Sequence, residues 1–173
     1  MGRFKMKVLK TCLLLLTCFS LNLEAAPLGV LDIKLLSDSS FNSHFFGAQF
    51  IVDKMQLFQK IKPYGEPNWD PADYLSDPDV GVASYEVTKD SDDNFMIAWM
   101  GENTFLGTYS LYIRLYVASE EEWSPIMMVS GITENLVGGY SISINTVEAE
   151  IIWNSYDGSF NIEEHSAIFS LHP

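Results

Sequence analysis

Asp90-Ser91-Asp92-Asp93-Asn94 sets oxygen-bearing side chains on alternate residues, as a calcium loop does at its start. An EF-hand also needs glycine at the sixth place and glutamate at the twelfth; this chain has Phe95 and Gly101 there. The stretch therefore reads as a solvated turn. The other acidic groups (Asp92 with Asp93, Glu120 to Glu122, Glu163 with Glu164) fall in turns or on an exposed strand. Glycosidases hold two carboxylates across a cleft, whereas these read as solvated faces. His44, His165 and His172 are far apart and match no zinc spacing. No Gly-x-Ser-x-Gly elbow occurs. Tyr109, Tyr112, Tyr116, Trp123 and Tyr156 have the shape to line a sugar or peptide groove, although packing is the commoner use of such side chains. No catalytic residue, metal ligand or cofactor is expected.

The elements that would position these residues begin after a separate N-terminal segment. Arg3, Lys5, Lys7 and Lys10 precede an apolar run from Thr11 to Leu23, and Glu24-Ala25-Ala26 supplies small residues for cleavage. Residues 1–25 read as a secretory signal peptide, too short to span a membrane as a helix. Residues 26–173 are then one secreted or periplasmic domain. Leu15-Leu16-Thr17-Cys18 loosely resembles a lipoprotein box, so a lipid anchor on Cys18 is the alternative. Both cysteines, Cys12 and Cys18, lie in this segment, which leaves the domain without thiol chemistry. Its bases are Lys34, Lys54, Lys60, Lys62, Lys89 and Arg114 against 22 acids, a net charge of −16. Such a field repels nucleic acid and anionic membrane. It also keeps a sheet-rich protein from associating through its edges.

Within the domain the four tryptophans keep a fixed spacing. Trp69 and Trp99 are 30 residues apart, as are Trp123 and Trp153, and the second pair lies 54 residues beyond the first. Their neighbours move with them: Pro71 and Ser76 match Pro125 and Ser130. A period of this size means a stacked or radial array. Trp69, Pro71, Ser76, Trp99, Trp123, Pro125, Ser130 and Trp153 are its structural markers, in units of roughly 28–76, 77–130 and 131–173. The offset reaches more faintly into the first unit, where Trp99 falls on Phe45 and Gly101 on Gly47. Strands are expected over Gly29 to Leu36, Phe41 to Phe46, Gln49 to Phe58 and near Trp69 to Leu75. The second set is Val80 to Val87, Phe95 to Met100, Tyr109 to Val117 and Trp123 to Val129. The third set is Tyr140 to Ile144, Ala149 to Trp153 and Phe160 to Phe169. The fold class is all-β, with antiparallel four-stranded blade-like repeats forming a partial β-propeller or an open sandwich-like stack.

A unit that runs polar turn, apolar strand ending in Trp, aromatic strand and then Trp-x-Pro-x-x-x-Leu/Val-Ser resembles the β-propeller repeat proteins secreted by some bacteria. Asp93-Asn94-Phe95-Met96-Ile97-Ala98-Trp99, Trp123-Ser124-Pro125 and Val129-Ser130 carry the resemblance. It departs at Phe95, where the turn usually has glycine, and in size, since closed propellers have about four to eight blades. The chain is then a truncated member, a partner in a homodimer, or an open stack. The resemblance implies a secreted, non-catalytic protein that binds a protein or glycan. A sialidase-like, glycan-hydrolysing enzyme is the alternative, as is a truncated product with no function of its own. Ser91 and Asp93 begin an aspartate box, but Trp99 comes one residue late and the glycine is missing. The single arginine of residues 26–173, Arg114, also argues against arginine-cluster recognition of a substrate carboxylate.

Overall fold

The computed structural model describes residues 30–103, 108–131 and 135–171. The segment read as a signal peptide, with Cys12 and Cys18, lies outside the described residues, as does His172. The described chain is all-β. Its strands are β1 (Val30–Ser37), β2 (Ser43–Ile51), β3 (Lys54–Lys62), β4 (Asp73–Tyr74), β5 (Gly81–Lys89), β6 (Phe95–Asn103), β7 (Thr108–Val117), β8 (Glu122–Trp123), β9 (Met127–Met128), β10 (Asn135–Ile144), β11 (Glu148–Tyr156) and β12 (Ile162–Ser170). They form three antiparallel sheets, β1-β2-β3-β4, β5-β6-β7 with β8 and β9 both on β7, and β10-β11-β12. The sheets are layered and do not close into a barrel. No helix is long and apolar enough to cross a membrane.

Two cores separate the three layers. Phe46, Ala48 and Leu57 of the first sheet meet Tyr85, Phe95, Ile97 and Trp99 of the second. On its other face the second sheet gives Met96, Ala98, Leu111 and Ile113 to a core shared with Ala149, Ile151 and Trp153 of the third. The middle strand β6 is thus apolar on both faces, which accounts for its unbroken apolar sequence. Each inter-sheet step is pinned by a tyrosine. The hydroxyl of Tyr85 of β5 lies 3.0 and 2.7 Å from the carbonyl oxygens of Phe46 and Asp32, which share its one proton. Tyr140 of β10 donates to the carbonyl of Ala98 at 2.9 Å. Burial raises both phenol pKa values well above the ordinary tyrosine range, so both stay neutral donors.

The 54-residue spacing is visible in hydrogen bonds. The β3–β4 pairs Phe58–Tyr74 and Gln59–Asp73 recur in β7–β9 as Tyr112–Met128 and Ile113–Met127. Asp70 N–H bonds to Ile61 O at 2.7 Å, and Ser124 N–H to Leu115 O at 2.7 Å. The first hairpins are offset by 52 instead. β2 meets β3 with Ser43 opposite Lys62, and β6 meets β7 with Phe95 opposite Tyr116. Trp99 therefore corresponds to Gly47, and Phe45 to Ile97. The connection from β2 to β3 is two residues shorter than that from β6 to β7. Two other expectations shift. The strand expected over Gln49 to Phe58 is cut by a tight turn at Val52 and Asp53, so that Gln49 ends β2 and Phe58 sits in β3. The third sheet starts before Gly138-Gly139, at Asn135, because these glycines form a register break inside β10.

Candidate functional site

Three loops share one construction. Asp38, Asp90 and Asp157 each accept, through Oδ1, the backbone N–H of the asparagine four residues on, at 2.8, 3.0 and 2.8 Å. Their Oδ2 atoms accept the side-chain amides of Asn42, Asn94 and Asn161 at 2.8, 2.8 and 2.9 Å. The residue before each asparagine, Phe41, Asp93 or Phe160, has φ 63°. The stretch considered as a calcium loop is one of these turns. Asp90 spends its oxygens on its own loop, and Asp93 accepts Ser39 N–H at 2.8 Å and Lys89 Nζ at 2.7 Å. Burial opposes the charge on Asp38, but hydrogen bonds from His44 and Asn42 outweigh it and hold its pKa below the usual carboxylate range. Burial is likewise outweighed at Asp93 by Lys89 and Ser39. At Asp157 the hydrogen bond from the Asn161 side chain leads, and the pKa is again lowered. Among the described residues no three His, Cys, Asp or Glu side chains are grouped to hold a metal ion.

The two described histidines acquire partners that their sequence spacing hides. His44 Nε2 lies 3.0 Å from Asp38 Oδ2, and its Nδ1 lies 2.9 Å from Gln59 Nε2. Gln59 Oε1 in turn accepts Trp123 Nε1–H at 3.0 Å. With its oxygen used, Gln59 offers His44 an N–H, so Nδ1 accepts and Nε2 donates to Asp38. This chain of bonds fastens the first sheet to the second; at 6 % exposure His44 cannot meet a substrate. Ser155 Oγ lies 2.8 Å from His165 Nε2, but Ser155 is 2 % exposed, which keeps it from acting as a nucleophile. Arg114 is engaged in structure: its Nε donates to Ser124 O at 2.7 Å and its guanidinium lies 5.9 Å from the Trp123 ring. Burial lowers its pKa, and the charge of Asp73 partly restores it.

The marker residues fall in matched pairs, Trp99 with Trp153, Trp69 with Trp123, Pro71 with Pro125 and Ser76 with Ser130. Trp99 and Trp153 occupy the middle strands and stack on their cross-strand neighbours, Tyr112 at 5.6 Å and His165 at 5.5 Å. Trp69 precedes β4, and Trp123 ends β8 ahead of β9; Trp69 packs edge-on to Phe45, and Trp123 against Phe46. Pro71 and Pro125 follow them on exposed backbone. Ser76 and Ser130 are buried and accept the N–H of Leu57 and Leu111 at 3.0 and 2.8 Å. These hydroxyls satisfy N–H groups that no strand reaches. Ser76→Ala and Ser130→Ala are each expected to cost about 1–2 kcal/mol, seen as a lower urea midpoint with an unchanged slope. A change within experimental error would mean that water replaces the hydroxyl.

The surface that stands out is the outer face of the first sheet. Cross-strand pairing puts Ile33, Leu35, Phe45, Phe58 and Tyr74 there together with Lys60 and Lys62. At one end of this face a groove of about 200 Å³ is lined by Leu35, Phe41, Ser43, Lys62, Tyr64 and Trp69. Phe41 and Tyr64 are 71 % and 75 % exposed, with ring centroids 5.7 Å apart. Tyr64 is placed by its N–H, which donates to Asn42 Oδ1 at 2.9 Å. In the second sheet the same bond, Ala118 N–H to Asn94 Oδ1 at 2.9 Å, places an alanine. Among the aromatic residues named from sequence as groove candidates, none lines this groove: Tyr112 and Trp123 pack inside, and Tyr109, Tyr116 and Tyr156 lie elsewhere. Phe41, Tyr64 and Trp69 come from separate segments, and only the pairing of β1, β2 and β3 brings them together. No family model, curated protein or solved structure matches the chain.

Proposed function

We propose that this is a secreted, non-catalytic interaction protein, built of blade-like repeats in a partial propeller, that engages its partner through the open face of the first sheet. The observation that carries this reading is the aromatic groove of Phe41, Tyr64 and Trp69 beside Lys62, on a face rich in exposed apolar side chains. Contiguous exposed apolar surface on a soluble protein marks a contact site, and large aromatic side chains are frequent anchors of such contacts. The tight loop bonds of the three Asp/Asn turns suit a rigid scaffold, and the engagement of Arg114, His44 and Ser155 in internal bonds speaks against hydrolysis. The test uses the exported protein, with its first residue read by mass spectrometry to decide between cleavage after Ala25 and a lipid on Cys18. Incubation with sialosides and neutral glycosides is expected to give no turnover. Immobilised glycans and a second sample of the protein itself are the binding probes, and Trp69→Ala or Tyr64→Ala is expected to abolish the association seen. Turnover that an Asp or Glu substitution removes would overturn the reading.

A further inference from the structure

The groove on the first sheet corresponds to a socket that is filled in the second. Offsets of 52 and 54 carry Leu35, Ser43, Lys62 and Trp69 onto Val87, Phe95, Tyr116 and Trp123. Those residues of the second sheet receive side chains from the first. His44 packs at a tilt against Phe95 at 4.7 Å, Phe46 meets Phe95 at 5.9 Å and Trp123 at 6.4 Å, and Gln59 accepts the Trp123 N–H. The residues that do the filling also have counterparts further along. His44 and Phe46 correspond to Met96 and Ala98 in β6, which face the third sheet, and these correspond to Glu150 and Ile152 in β11. Glu150 and Ile152 lie on the outer face of the third sheet, since their neighbours Ala149, Ile151 and Trp153 face inward.

We propose that a second copy of this chain seats the outer face of its third sheet on the first sheet's groove, so that two chains of three sheets close one ring of six. This rests on the blade-like interaction reading above and names the partner. Six sheets fall within the range of about four to eight blades that closed propellers use. The charges agree with this orientation. The groove face carries Lys60 and Lys62, which form no ion pair among the described residues. The outer face of the third sheet carries Glu148, Glu150 and Glu164 around Ile152 and Ile168, the last 60 % exposed. Placing Glu150 where His44 sits in the inner contact brings its carboxylate to the Ser43 and Lys62 end of the groove, and Ile152 takes the place of Phe46. Contact of like faces would instead set lysines against lysines or carboxylates against carboxylates, which disfavours a contact of either face with itself. A head-to-tail contact forms a ring when its rotation closes. The tyrosine at each internal step reaches the corresponding carbonyl, Phe46 O and then Ala98 O, so the step is the same twice.

The test is the solution mass of the exported protein by sedimentation, with two charge-swapped variants. One is Lys60→Glu with Lys62→Glu; the other is Glu148→Lys with Glu150→Lys and Glu164→Lys. All five side chains lie on sheet surfaces, and circular dichroism checks that the variants keep their strands. Wild type is expected to be a compact dimer. Each variant alone is expected to dissociate about tenfold or more readily, and an equimolar mixture to recover the dimer, because both contacts then join opposite charges. A wild-type monomer overturns the proposal whatever the variants do. So does a dimer indifferent to the glutamate changes, which would place first sheet on first sheet. In either of those cases the interaction reading survives if Trp69→Ala still abolishes binding to an immobilised glycan, and falls if the protein turns over a glycoside.

Discussion

Trp99→Ala is expected to cost about 3–5 kcal/mol and to leave little of the cooperative unfolding transition. Trp99 is 0 % exposed on the middle strand of the middle sheet. Its ring stacks on Tyr112 at 5.6 Å and 16°, and its cross-strand neighbour on the other side is Tyr85, whose hydroxyl ties the second sheet to the first. Truncation would open a cavity where these supports meet, and a domain of this kind has only about 5–15 kcal/mol in total. Trp99→Phe is the informative companion. Nε1 of Trp99 has no acceptor among the described residues, so phenylalanine strands no hydrogen-bonding partner, and the cost falls to about 1–2 kcal/mol of lost packing. Urea unfolding of the two variants checks the pair. A Trp99→Ala protein within about 1 kcal/mol of wild type would mean that the first core is not continuous through this residue.

The same tryptophan shows what could be read from the sequence. Its apolar run, Phe95 to Met100, predicts a strand buried on both faces, and β6 is that strand. The spacing of Ser76 and Ser130 also carries through, down to the two N–H groups they satisfy. The Val52-Asp53 turn was hidden because it lacks the glycine or asparagine that usually marks a two-residue turn. Val52 takes φ 62° without a conformational preference for it, and the apolar residues on both sides make the hairpin look like one strand. That turn is two residues shorter than its counterpart between β6 and β7, so a uniform 54-residue offset sets Trp99 on Phe45 when its counterpart is Gly47. The Asp/Asn loops did leave a signal, an aspartate and an asparagine four residues apart at 38, 90 and 157. The third escapes a fixed period, since it joins β11 to β12 whereas the other two join the first and second strands of their sheets.

The groove was the least legible part. A 54-residue comparison finds what two units share, and the groove lies where they differ. Phe41 and Tyr64 stand where the second sheet has Asp93 and Ala118, and Ser43 stands where it has Phe95. Filled positions in the second sheet become rim and floor in the first. Such a site shows itself when the sheets of the chain are compared with one another.

The corresponding comparison of two glycines gives the second large effect. Gly101→Ala is expected to cost about 3 kcal/mol, the upper part of the usual overpacking range, while Gly47→Ala is expected to cost well under half of that. A methyl on Gly101 would come within 2.5 Å of Val80 Cγ1 and 2.6 Å of the Tyr112 ring. Tyr112 cannot yield freely, because its other face is stacked on Trp99. A methyl on Gly47 would meet the rings of Phe58 and Phe45 at 3.1 and 3.2 Å, contacts that need a shift of only a few tenths of an ångström. Phe45 is half-buried on the outer face of the first sheet and can move outward, whereas Phe58 is buried between Phe45 and Tyr74 and has to take its share of the shift by tilting. Thermal unfolding of the two variants under the conditions used for Trp99 decides the matter. Equal losses would mean that the outer face of the first sheet is already covered in solution, as the ring of two chains requires, and comparing the variants above and below the dimer's dissociation range would separate that cover from packing within one chain.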